Sequence, residues 1–313
     1  MDIQFAQLIV NGIAVGSIIA LAAVGLTLTY GILRLSNFAH GDFLTLGAYL
    51  TWQINTIGVN IWLSMILATG GTVAAMLLSE KLLWSRMRSI RATSTTLIII
   101  SIGLALFLRN GIIFIWGGKN QNYDLPVTPA LDILGLKVPQ NQLLVFFLAV
   151  LAILAVHYLL QNTKIGKAMR AVADDLDLAR VSGINVDRVI LWTWLIAGTL
   201  TSLGGSMYGL ITAVRPNMGW FLILPLFASV ILGGIGNPYG AIAGAFIIGI
   251  AQEVSIPTVN QVLSFVHQVA LQLGISHAAQ PVVFGLDYKQ GVALLIMILV
   301  LLIRPKGLFK GTI

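Results

Sequence analysis

Apolar residues run along this chain in long, nearly unbroken blocks separated by short polar tracts, a pattern unlike the one-sided faces of soluble helices. A bilayer core roughly 30 Å thick takes about 20 apolar residues per helix. By that measure the pattern predicts spans over 6–30, 38–55, 59–80, 95–116, 141–160, 188–213, 221–236, 239–253 and 290–304. The seventh and eighth are short for full crossings and fit either a hairpin or half-helices that dip in and return. The expected fold is an all-α integral membrane protein. It is one polytopic bundle over 1–313, with about 8–9 transmembrane segments, some short or re-entrant.

The polar tracts between the blocks carry the next layer. In the tract 161–188, Met169, Val172, Leu176 and Ala179 recur at spacings of three and four, which predicts an amphipathic helix rather than a plain connection. Asp174 is suited to cap its start with Asp177 in a capping-box-like position, and Gly183 to end it in a left-handed turn. A short capped helix with an apolar edge suits the groove of a soluble partner. It also suits the membrane interface, although four acids beside five bases match an anionic leaflet poorly. Two other tracts, 117–140 and 254–289, are long; the second holds an amphipathic stretch from Val259 to Leu273. Both read as loops on the bilayer or as docking surfaces for an external partner.

Composition sharpens the picture. Hydrophobic residues make up 58% of the chain and charged residues 9%, and the mean hydropathy is +0.93, so the apolar surplus needs lipid. The net charge of +7 lies in the tracts, not in a nucleic-acid-binding patch. With nine crossings, thirteen Lys and Arg fall on the side of the 161–188 tract and four on the other, which predicts a cytoplasmic C-terminus. Met1-Asp2-Ile3-Gln4 is not a basic leader, and the first span is expected to be retained. The absence of cysteine removes thiol chemistry; the four histidines are scattered, no H-E-x-x-H occurs, and no catalytic or metal site is expected. No G-x-x-x-x-G-K-[ST] is present, so any use of ATP needs another chain.

Three further features bear on mechanism. Asn37, His40, Gly41 and Asp42 cluster polar groups at a membrane edge, either along a water-filled path or in an ordinary capped turn. Gly236, Gly240 and Gly244 stand four apart, with Pro238 placed for a first helical turn, and predict close helix packing. Gly12/Gly16 and Gly205/Gly209 repeat the spacing. Arg109 and Glu253 are the charges nearest the apolar slab, and each is either a pathway residue or structural: Arg109 lies close enough to the outer edge to snorkel there, and Glu253 fits the end of a span.

Together these stretches resemble the branched-chain amino acid ABC transporter permeases. The resemblance rests on Asn11-Gly12 through Gly16-Ser17-Ile18-Ile19-Ala20-Leu21, leading into Asn37-Phe38-Ala39-His40-Gly41-Asp42. It rests also on Gly166-Lys167-Ala168-Met169-Arg170-Ala171-Val172-Ala173-Asp174-Asp175, on Ile231-Leu232-Gly233-Gly234-Ile235-Gly236, and on Arg304-Pro305-Lys306-Gly307-Leu308-Phe309. It covers nearly the whole chain, favours the shorter, H-type subunit, and extends to cyanobacterial neutral amino acid importers. Residues 254–289 are longer than the family leads one to expect.

The resemblance implies a heteromeric importer of a bacterial plasma membrane. Its partners would be a homologous second permease, two ATP-binding subunits and an external solute-binding protein. This chain would hold no cofactor, bind no nucleic acid and leave ATP to those subunits. Ala173, Asp174, Asp175, Asp177, Ala179, Arg180 and Gly183 then form the segment that docks on the ATPase. A urea or short-amide importer shares much of the pattern. An ion-coupled secondary transporter would need membrane carboxylates and an inverted repeat, and no repeat is evident along the chain. A structural subunit without a pathway is the remaining alternative.

Overall fold

The computed structural model describes residues 2–126, 129–133, 135–273, 283–285, 288–304 and 307–309. Helix dominates them: α1 (Asp2–Leu33), α2 (His40–Thr56), α3 (Ile61–Ser79), α4 (Ser85–Ser89), α5 (Ser94–Trp116), α6 (Gln140–Asn162), α7 (Lys164–Asp174), α8 (Leu176–Val181), α9 (Val186–Ile211), α10 (Met218–Gly233), α11 (Pro238–Gln272) and α12 (Lys289–Ile303). A π-helical turn, Glu80–Trp84, joins α3 to α4. One small antiparallel hairpin, β1 (Leu131–Ile133) with β2 (Leu136–Val138), lies outside the bundle. Six of these helices, counting Ile61–Ser89 as one, are long and apolar enough to cross a membrane. The protein is thus an all-α, multi-pass membrane protein.

The short segments differ from expectation. Besides α10, with 16 residues, α2 and α12 are short, at 17 and 15. The eighth segment is the opposite: α11 runs for 35 residues, so Val259–Gln272 continues the helix instead of belonging to a loop over 254–289. Pro257 sits inside this helix, where it forfeits one backbone bond without ending it. Residues 274–282 and 286–287 of that tract lie outside the described residues.

The tracts sort to two ends. At one, Arg34 Nη2 donates to Ala173 O at 3.0 Å, Leu308 N to Leu232 O at 2.8 Å, and Arg88 pairs with Glu80. At the other, Gln121 and Val214 form a β-bridge, Lys137 N donates to Gln7 at 3.0 Å, and Asp124 N to Asn55 at 2.8 Å. These basic and hairpin ends are the two sides that the charge pattern separates.

An inverted repeat, invisible in the sequence, organises the bundle, so the lack of a repeat along the chain no longer counts against an ion-coupled transporter. The acids Asp42 and Glu253 are, however, ion-paired with Arg109 and Lys289. The series α1, α2, α3, α5 recurs in the opposite sense as α9, α10, α11, α12. Helix α1 packs along α11 as α9 packs along α3; α2 lies on α9 as α10 lies on α1; α2 touches α5 as α10 touches α12. The second members of each half meet at the centre, where Gly41 and Gly219 bring backbone against backbone. A Cβ on either would run into the carbonyl oxygen of the other. Glycine is used the same way between α1 and α11, where Gly12 faces Ile250 and Gly16 faces Phe246.

Candidate functional site

Two regions hold the residues singled out in the sequence. The first is the α7–α8 corner at the basic end. Thr163 Oγ1 accepts from Gly166 N at 3.1 Å and starts α7, which continues through Asp174. Asp174 is therefore the last residue of α7, not a cap. The cap is Asp175, whose extended backbone breaks the chain and whose Oδ1 accepts from Asp177 N and Leu178 N, both at 2.9 Å. Asp177 consequently falls one position short of a capping box. The other end is as expected: Gly183 has φ +84°, Ile184 N donates to Ala179 O and Gly183 N to Arg180 O, both at 3.1 Å, the paired bonds of a Schellman ending.

The apolar stripe does not face outward. Met169, Val172, Ala173 and Ala179 are buried in the core shared with α1, α6 and α9, and Leu176 packs against its edge. The corner is fixed further by Arg34 on Ala173 O and by Arg170 on Leu160 O. What remains exposed is Asp174, Asp175, Asp177 and Arg180 around Leu178 and Val181, which are 62% and 81% exposed. The helix is thus a rigid extension of the bundle with a small apolar tip.

The second region is the broken joint between α1 and α2. Helix α1 ends at Leu33, and residues 34–39 run back into the bundle without regular structure. Irregular backbone at membrane depth is tolerated where protein buries it and supplies partners. Asn37 Oδ1 accepts from Ala39 N at 3.1 Å, and Ser101 Oγ from Phe38 N at 3.2 Å. His40 Nε2 sits 2.9 Å from Ala22 O and 3.0 Å from Thr201 Oγ1. Asn37, His40 and Gly41 are sealed in this interior.

Asp42 is buried too, but its partner is not. Arg109 Nε and Nη2 donate to its two carboxylate oxygens at 3.0 and 3.1 Å, and Arg109 Cζ lies 4.6 Å from the centre of the Trp220 ring. Arg109 therefore turns inward instead of snorkelling. Glu253 is likewise paired, with Lys289 Nζ at 2.7 Å at the start of α12, and lies within α11 instead of at its end. Gly240 and Gly244 pack against Gly233 O and Ser229 O, whereas Gly236, at φ +87°, belongs to the turn that donates to Thr27 Oγ1 at 3.0 Å. Asn237 caps α11 and Pro238 occupies its first turn.

Several contacts had no place in the sequence reading. Thr51 and Ser206 hydroxyls meet at 2.7 Å, Thr72 Oγ1 donates to Ser202 at 3.2 Å, and Trp194 Nε1 donates to Glu80 at 2.7 Å. The four-residue spacing of Ser202 and Ser206 on α9 was the available signal. For Arg109 it was the presence of an opposite charge, Asp42, in another predicted span.

Comparisons agree with this architecture. The sequence is similar over 98% of its length to the high-affinity branched-chain amino acid transport system permease protein LivH of Salmonella typhimurium (strain LT2), at 28% identity over 96% of that protein. LivH of Escherichia coli (strain K12) is 29% identical with the same coverage. BraD of Pseudomonas aeruginosa, a permease protein of the same description, is 27% identical over 97% of this chain and 95% of that one. Among solved structures, PsaBC from Streptococcus pneumoniae in complex with Fab shares the fold, with a TM-score of 0.50, 14% identity and coverage of 95% and 91%. Residues 8–301 match the family described as the branched-chain amino acid transport system permease component, and the chain belongs to that family.

Proposed function

We propose that this chain is one permease of a bacterial ATP-binding-cassette importer, and that with a homologous second permease it forms the path for branched-chain or other neutral amino acids. It holds no cofactor and hydrolyses nothing; two ATP-binding subunits do so, and an external solute-binding protein delivers the cargo. The basic end, with the C-terminus, faces the cytoplasm of the cell, and the hairpin end faces the solute-binding protein.

The observation that carries the reading is the α7–α8 corner. Its exposed tip of Leu178 and Val181 suits the groove of a soluble ATPase, while its buried stripe is continuous with the core around α1, α6 and α9. A push on the tip is therefore delivered to the spans, not absorbed by a loose loop. Ala173 and Ala179 serve that core, and Asp174, Asp175, Asp177, Arg180 and Gly183 shape the docking face.

The test is ATP-dependent leucine or alanine uptake into proteoliposomes holding all partner subunits. Val181→Glu and Gly183→Trp should each abolish uptake while the chain still inserts and folds. Uptake indifferent to ATP and to both substitutions would overturn the reading; transport of urea in place of amino acids would keep the permease and replace its cargo.

A further inference from the structure

The Arg109–Asp42–Trp220 cluster does more than hold helices together. Its position is the first clue. Trp116 Nε1 donates to Gln53 at 2.9 Å and fixes the relative height of α5 and α2 near the hairpin end. Below that contact, Arg109 lies about 10 Å down α5 and Asp42 about 16 Å down α2. The guanidinium spans the difference by pointing toward the middle of the membrane, away from the nearer surface.

Its exposure is the second. Asp42 is 1% exposed, but the Arg109 side chain retains 15% and Trp220 is 43% exposed. Both bonds to Asp42 use Nε and Nη2, so Nη1 is the corner of the guanidinium not engaged by the carboxylate. The open edge of the pair thus belongs to the cation and not to the acid. A cation at this depth with an open edge is costly against lipid and is expected where water or polar cargo passes.

We infer that Arg109, oriented by Asp42, lines the path beside Trp220 and meets the carboxylate of the passing solute. Asp42 neutralises most of the cation, so a zwitterion is held briefly and released. The face of the bundle bearing Trp220 is then the pathway side, and the outward face of α5 around Phe107 is not. This rests on the proposal that the cargo is an amino acid.

Because the chain has no cysteine, single introduced thiols report on each face without background. Trp220→Cys and Phe107→Cys are labelled in the complete importer in proteoliposomes, with anionic and cationic methanethiosulfonates. Cys at 220 should react, and measurably faster with the anionic reagent, because the exposed end of the ion pair is the cation. Leucine should slow that reaction and leucinamide, which lacks the carboxylate, should not. The Asp42→Asn/Arg109→Gln pair, which leaves no unmatched buried charge, should erase the preference for the anion. Labelling at 220 no faster than at 107, or equal rates for the two reagents, overturns the inference. Wild-type uptake of leucine is scored separately. If it is absent while another carboxylate protects position 220, the cargo assignment fails and the role of Arg109 stands.

Discussion

At the scale of single residues, the fold depends on places where a side chain cannot fit. Gly41 and Gly219 are the clearest, since each backbone occupies the space a Cβ of the other would need. Gly219→Ala should destabilise the protein by about 1–3 kcal/mol through overpacking, read as a fall in the thermal midpoint of the detergent-solubilised chain. Gly103→Ala is the matched control. Gly103 lies within α5 with open space around its missing Cβ, so the substitution should leave the midpoint unchanged or slightly higher. Equal losses at both positions would mean that the central crossing is not the tight point of the bundle. The glycine spacing made close packing legible at Gly240 and Gly244. It said nothing of Gly41 against Gly219, because their partnership is long-range and neither belongs to a four-residue series.

At the scale of elements, the α7–α8 corner shows which signals are local enough to read. The apolar spacing and Gly183 announced a capped helical segment, and both features are present. The identity of the cap was not legible. Asp174 and Asp175 are adjacent and chemically alike, and only the start of α7 at Thr163 and its continuation through Asp174 decide between them. Nor could the period alone say whether the stripe met a partner or the chain's own core. Asp175→Ala should therefore cost about 1 kcal/mol of local stability and speed hydrogen exchange at the amides of Asp177 and Leu178. Asp174→Ala, which removes no cap, should leave those amides protected. The reverse pattern would restore Asp174 as the cap. The length of α11 was hidden for a related reason: hydropathy takes Glu253 and Pro257 as an ending, whereas Lys289 on α12 neutralises the acid within the fold.

At the scale of the whole molecule, two halves of opposite sense share one bundle, and the charge pattern records which way they run. The repeat was not legible because it is carried by packing geometry, with little likeness in sequence between α2 and α10 beyond an asparagine and a glycine near each start. The gathering of most Lys and Arg at one end was legible, since they need no tertiary partner to sort there; that this end is the cytoplasmic one belongs to the proposal. It follows that every tract at the basic end shares one compartment. Ser182 in the α8 turn and Asn120 beside the hairpin-end bridge are both exposed and stand at opposite ends. In sealed vesicles of known orientation, Ser182→Cys should react with a membrane-impermeant maleimide only from the cytoplasmic face. Asn120→Cys should react only from the other. Reaction of both from one face would break the assignment of ends, and with it the opposite sense of the two halves; reaction of each from the face opposite to that stated would preserve the repeat and turn the whole protein over in the membrane.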